Sequence, residues 1–62
     1  MKYTPKELRA RKGESQQKTA NALGVSKQTY CAWEKNLAKV PIGKVAALCQ
    51  HFQISLSEIK YE

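Results

Sequence analysis

The sequence predicts an all-α domain built from five short helices. Three observations lead there. Helix start and stop signals recur roughly every dozen residues, strand-like alternation of apolar and polar residues is nearly absent, and the apolar residues of the longest segment repeat at three- and four-residue spacing. A chain of 62 residues has room for one domain, residues 1–62, whose core supplies roughly 3–5 kcal/mol of net stability.

The elements follow in order. Thr4-Pro5-Lys6-Glu7 has the form of a capping box with proline at the first helical position, so helix 1 starts there and runs to about Lys12, where Gly13 ends it. Ser15 is a good N-cap for helix 2, Gln16 to Leu23, and Gly24 can take the left-handed backbone that stops it. Ser26 caps helix 3, Lys27 to about Lys35, and Asn36 after it is another residue that tolerates positive φ. Pro41 marks where helix 4 begins, with Val45, Leu48, Cys49 and Phe52 forming its inward stripe. Ser55-Leu56-Ser57-Glu58 is a second capping box, with Ile54 and Ile59 placed as a hydrophobic staple, and it opens a short helix 5.

Charge narrows the function. Eleven Lys and Arg against five Asp and Glu give a formal +6, an attractive field for a polyanion, and nucleic acid leads the candidates. No apolar run approaches the ~20 residues of a spanning helix and no signal-peptide pattern opens the chain, so a cytoplasmic protein is expected, nucleoid-associated when bound to DNA. Cys31 and Cys49 are too far apart for a C-x-x-C site and have only His51 to help them; Cys49 reads as core and Cys31 as a reduced surface thiol. Neither has an evident base and orienting acid, so no enzyme, metal, cofactor or small-molecule ligand is expected.

The informative stretch is Gln16 to Leu37, where the brief Gly24-Val25 turn lets helix 3 cross helix 2 steeply and protrude as a helix-turn-helix. At 100° per residue Tyr30 and Trp33 share one face of helix 3, while Gln28, Cys31, Ala32 and Lys35 cluster on the other. A helix with aromatics inward and a small polar surface outward can enter a major groove about 12 Å wide.

Ala20, Gly24, Val25, Ser26, Tyr30, Trp33, Glu34 and Pro41 stand where the Cro/CI-type (XRE-like) helix-turn-helix family has its pattern residues, and Phe52 to Ile59 is similar to that family's closing "L-G-V-S-x-x-x-L" stretch. Nearly the whole chain resembles the family. Thr19, where leucine is usual, Tyr30, where a β-branched aliphatic is usual, and Asn36, where glycine is usual, depart from it. The resemblance implies a compact five-helix, lambda-repressor-like domain that binds double-stranded DNA in a sequence-specific way as a small transcriptional regulator, a repressor of phage, mobile-element or bacterial type. It also implies an ion pair between Arg9 and Glu34 that ties helix 1 to the end of helix 3.

Carried onto this sequence, the family's contact positions are Lys27, Gln28 and Ala32 for reading bases and Gln16, Thr29, Lys35 and Lys39 for the DNA backbone. Chemistry agrees. Gln28 can pair bidentately with adenine, Lys27 can donate to guanine or to a phosphate, and the Ala32 methyl suits a thymine methyl. Gln16 begins helix 2, where free N–H groups and the positive dipole end favour phosphate. Lys44, away from the motif, reads as an ordinary solvated lysine, and Lys2, Lys6, Arg11 and Lys12 receive no assignment. One copy reading about 4–5 base pairs needs a partner copy for specificity, so a homodimer, weak off DNA, on a palindromic operator is expected. The rival reading is a protein-interaction or antitoxin-type module on the same fold.

Overall fold

A computed structural model describes residues 2–61 and contains four α-helices: α1 (Pro5–Lys12), α2 (Gln16–Leu23), α3 (Lys27–Lys35) and α4 (Ile42–His51). Each of the first three starts on the expected cap. The Thr4 hydroxyl accepts from the Glu7 N–H at 3.2 Å while the Glu7 carboxylate accepts from the Thr4 N–H at 3.0 Å, a complete capping box. Ser15 Oγ accepts from Lys18 N–H at 3.1 Å, and Ser26 Oγ from Thr29 N–H at 3.2 Å, so each satisfies one of the donors a helix start leaves over. Gly13 and Gly24 end α1 and α2, both at φ 72°, a backbone that costs a residue with a Cβ roughly 1 kcal/mol or more.

The core draws on every element. Leu8 of α1, Ala20 of α2, Tyr30 of α3, and Val45, Leu48 and Cys49 of α4 are buried together with Leu37, Phe52 and Ile59. Ala20 has no exposed surface, as a small residue must where two helices approach closely. Tyr30 is likewise fully buried and meets Trp33 edge to face at 6.4 Å, but Trp33 is only half-buried and leans on the core from outside.

Two expectations are corrected. The fifth helix is a single 3₁₀ turn, Leu56–Glu58. Its capping signal is real: the Glu58 carboxylate accepts from Ser55 N–H at 2.9 Å and from Ser55 Oγ at 3.1 Å. The helix does not propagate because Ile59 is extended and buried, pairing in parallel with Tyr3 through Tyr3 N–H to Glu58 O (2.8 Å) and Lys60 N–H to Tyr3 O (2.7 Å). Burying Ile59 and closing the two ends of the fold outweighs another turn of marginal helix. Asn36 does not take positive φ; it sits at φ −150° and turns the chain into a 3₁₀ segment, Leu37–Lys39, which drops Leu37 into the core.

The left-handed position falls instead on Gln53, at φ 58°, just past α4, where Gln53 N–H donates to Gln50 O and Ile54 N–H to Cys49 O. This is the place of the glycine in the pattern the chain resembles. Gln53→Gly relieves the Cβ strain at the cost of a more mobile unfolded chain, and a net gain of about 0.5–1 kcal/mol is expected. Urea denaturation checks it; equal or lower stability in the variant overturns the reading.

Candidate nucleic-acid interface

The position of α3 is held by one ion pair from below. Arg9 Nε donates to Glu34 Oε2 at 2.8 Å and Nη2 reaches Glu34 Oε1 at 3.5 Å, with the two side chains 17% and 8% exposed. The third arm of the guanidinium, Nη1, donates to the Glu14 carbonyl at 3.1 Å. One side chain thus joins α1, the α1–α2 turn and the last turn of α3. Burial pushes the Glu34 carboxyl up, but its donors, Arg9 foremost, more than compensate and hold it below the usual carboxylate range. The hydrogen bond from Arg9 to Glu34 raises the guanidinium in turn. The buried Tyr30 hydroxyl lies beside this pair without a partner at hydrogen-bonding geometry; burial first, then the nearby Glu34 carboxylate, raises it above the ordinary phenol range.

A second buried carboxylate escaped the sequence reading. Glu14 is 5% exposed at its side chain; its Oε1 accepts from the Thr19 hydroxyl at 2.7 Å and lies 2.8 Å from His51 Nε2. Lys12 Nζ stands 3.9 Å from Glu14 Oε2 and donates to the His51 carbonyl at 2.9 Å. Burial raises the Glu14 carboxyl, but the bonds from His51 and Thr19 outweigh it, so it too titrates below normal. The signal was visible in Thr19 standing where leucine is usual: a hydroxyl placed at a core position requires an acceptor, and Glu14 is five residues away.

With the aromatic side of α3 turned inward, the exposed side carries the expected residues together. Lys27, Gln28, Ala32 and Lys35 are all exposed and, with Cys31, line a shallow depression of about 410 Å³. Thr29 is exposed, and its hydroxyl accepts from Ser26 Oγ at 2.9 Å, a bond that does not use its own proton. Lys39 is exposed on the 3₁₀ segment after α3 and lines neither this depression nor the one beside it. Gln16 is half-buried, with its amide donating to Glu34 Oε1 at 3.0 Å and its carbonyl accepting from Cys31 Sγ at 3.1 Å. Cys31 is accordingly half-buried rather than a surface thiol, because Gln16 reaches across to it, while Cys49 is buried as expected and both are free.

This surface can meet a polyanion with its two exposed lysines and a base edge with Gln28. Among the described residues no three His, Cys, Asp or Glu side chains gather as a metal site, and no helix is long and apolar enough to cross a membrane.

Residues 6–59 match the sequence family described as Helix-turn-helix. A protein of Bacillus subtilis (strain 168) named an uncharacterized HTH-type transcriptional regulator, YgzD, is 36% identical over 59 residues, which span 95% of this chain and 89% of the relative. No solved structure matches the chain.

Arg9→Ala leaves Glu34 as a buried charge without its main partner, and a loss of about 3 kcal/mol is expected by chemical denaturation, a large share of a small domain's stability. A loss below ~1 kcal/mol, the value of a surface pair, contradicts the brace. Acid acts on the same groups. Glu34 and Glu14 both have folded-state values below their unfolded ones, so their stabilisation is complete above the ordinary carboxylate value of 4.5 and drains away as pH falls through the lower folded values. Denaturation midpoints should hold from neutrality down to about pH 5 and fall steeply below it, with a shallower fall in Glu34→Gln and in Glu14→Gln. Equal acid sensitivity in all three proteins excludes these two carboxylates as its source.

Proposed function

The chain belongs to the XRE-like helix-turn-helix family of DNA-binding transcriptional regulators, and from that premise we propose that it is a sequence-specific repressor that sets α3 into the major groove of a palindromic operator. The observation that carries this reading is the exposed side of α3, where Lys27, Gln28, Ala32 and Lys35 share one depression while the opposite side is locked by Tyr30 and Glu34. In it Gln28 reads adenine, the Ala32 methyl meets a thymine methyl, and Lys27 serves either a guanine edge or a phosphate. Gln16, Thr29, Lys35 and Lys39 hold the backbone. Repression needs only that the operator be occupied, which this surface supports without an effector site.

In this reading the operator is bound by two copies. The described body measures 27 × 24 × 17 Å, less than the roughly 34 Å of one duplex turn, so one copy covers a single half-site. The homodimer forms on DNA and is weak without it. Specific sites are to be selected from random duplexes, and each variant titrated on the selected site and on a scrambled one. Gln28→Ala loses ~1–3 kcal/mol on the selected site, relaxes preference at one base pair per half-site and leaves the scrambled duplex nearly unchanged. Lys35→Ala weakens both duplexes alike. A uniform loss for Gln28→Ala, with base preference intact, removes Gln28 from the reading surface.

A further inference from the structure

Beside the depression on α3 lies a second cavity of about 480 Å³, lined by Lys6 and Arg9 of α1, Gln16 at the start of α2, and Cys31, Glu34 and Lys35 of α3. Its floor is the Arg9–Glu34 pair, in which the only carboxylate among the lining residues is already matched by a guanidinium and a Gln16 amide. What stays unmatched is positive. Lys6 and Lys35 are both exposed, and among the described residues neither forms an ion pair. Lys35 and Cys31 also line the α3 depression, so the two concavities share a wall and open on one continuous surface. The positive end of the α2 dipole adds to the same field.

We propose that this cavity seats a phosphate of the DNA backbone between Lys6 and Lys35, so that the binding surface extends from α3 across to α1. The proposal rests on the DNA-binding reading above and adds to it a residue, Lys6, and a ligand group, a phosphodiester oxygen pair. The chemistry is that of a point-charge clamp: two ammonium groups, one from α1 and one from α3, supply up to six N–H donors, and the carboxylate of the floor is already paired. It also assigns a task to the inward turn of Gln16. The side chain is held by its bonds to Glu34 and Cys31, and the amide that serves Glu34 has a second hydrogen for the same phosphate. The contact carries no base information; it sets the angle at which α3 lies in the groove.

Binding of the intact chain to its selected duplex and to a scrambled duplex is measured over a range of salt for wild type, Lys6→Ala, Lys6→Arg and Lys44→Ala, the last an exposed lysine of α4 outside the cavity. Lys6→Ala should weaken both duplexes by the same factor and make the log K against log salt slope shallower by about one unit; Lys6→Arg should restore the slope and Lys44→Ala should leave it alone. Neutral methylphosphonate substitution along the duplex then locates the partner: the phosphate whose neutralisation weakens wild type should cost Lys6→Ala little. Circular dichroism of each variant confirms folding. A Lys6→Ala slope equal to wild type, or equal sensitivity of both proteins at every phosphate, overturns the cavity as a phosphate seat while leaving the role of α3 intact. No binding of wild type to any duplex defeats the DNA-binding reading itself, and the two failures are thereby told apart.

Discussion

Three backbone segments that are distant in sequence are brought to fixed distances by a single guanidinium. Arg9 uses its Nε and Nη2 on Glu34 and its Nη1 on the Glu14 carbonyl, so α1, the α1–α2 turn and the end of α3 cannot move independently. A planar group with donors in a fixed fork can do this, whereas a lysine at the same place would hold only one of the partners rigidly. The consequence for function is mechanical. The nine-residue α3 is held at both ends, by the α2–α3 turn at its start and by the bond from Arg9 to Glu34 in its last turn.

Glu14 extends the same constraint to the far side of the molecule. Its backbone carbonyl receives Arg9, while its side chain receives Thr19 of α2 and His51 at the end of α4. His51 in turn stacks edge to face on Phe52, with ring centroids 4.9 Å apart, so the polar cluster is continuous with the apolar core. Polar groups buried this way contribute little net free energy when satisfied but exact a heavy penalty when half-satisfied, which makes them specify one arrangement of the helices. A core of this size, resting on Leu8, Tyr30, Leu37, Leu48 and a few neighbours, has little surplus with which to enforce that arrangement by packing alone.

The charge distribution divides along the same line. Among the described residues the acidic side chains are drawn inward or into caps: Glu14 and Glu34 are in the braces, and Glu7 and Glu58 hold the starts of α1 and the Leu56–Glu58 turn. The lysines of α3 and Lys6 are left in solvent. With Glu14 and Glu34 buried in the braces, the exposed lysines of α3 and Lys6 face solvent without an acidic partner among the described residues.

Local chemistry in the sequence was enough for the starts of the first three helices and the ends of α1 and α2, since a serine or threonine oxygen accepts from the N–H three residues on and glycine takes φ 72° without strain. Helical periodicity was enough, too, to place Gln28, Ala32 and Lys35 on the exposed side of α3 once Tyr30 is buried, whereas Cys31, expected beside them, is half-buried. Gaps opened where the outcome depended on partners far along the chain. Ser55-Leu56-Ser57-Glu58 carries the local signal of a helix start, yet its continuation was decided by Tyr3, which captures Ile59 in an extended pairing. Cys31 and Gln16 are fifteen residues apart and meet only because α3 crosses α2, and His51 reaches Glu14 only after α4 has packed back. Capping and periodicity are near-neighbour physics and can be read along the string; the burial of a carboxylate, the length of the last turn and the cavity shared by Lys6 and Lys35 depend on loop closure and packing, which exist only in three dimensions.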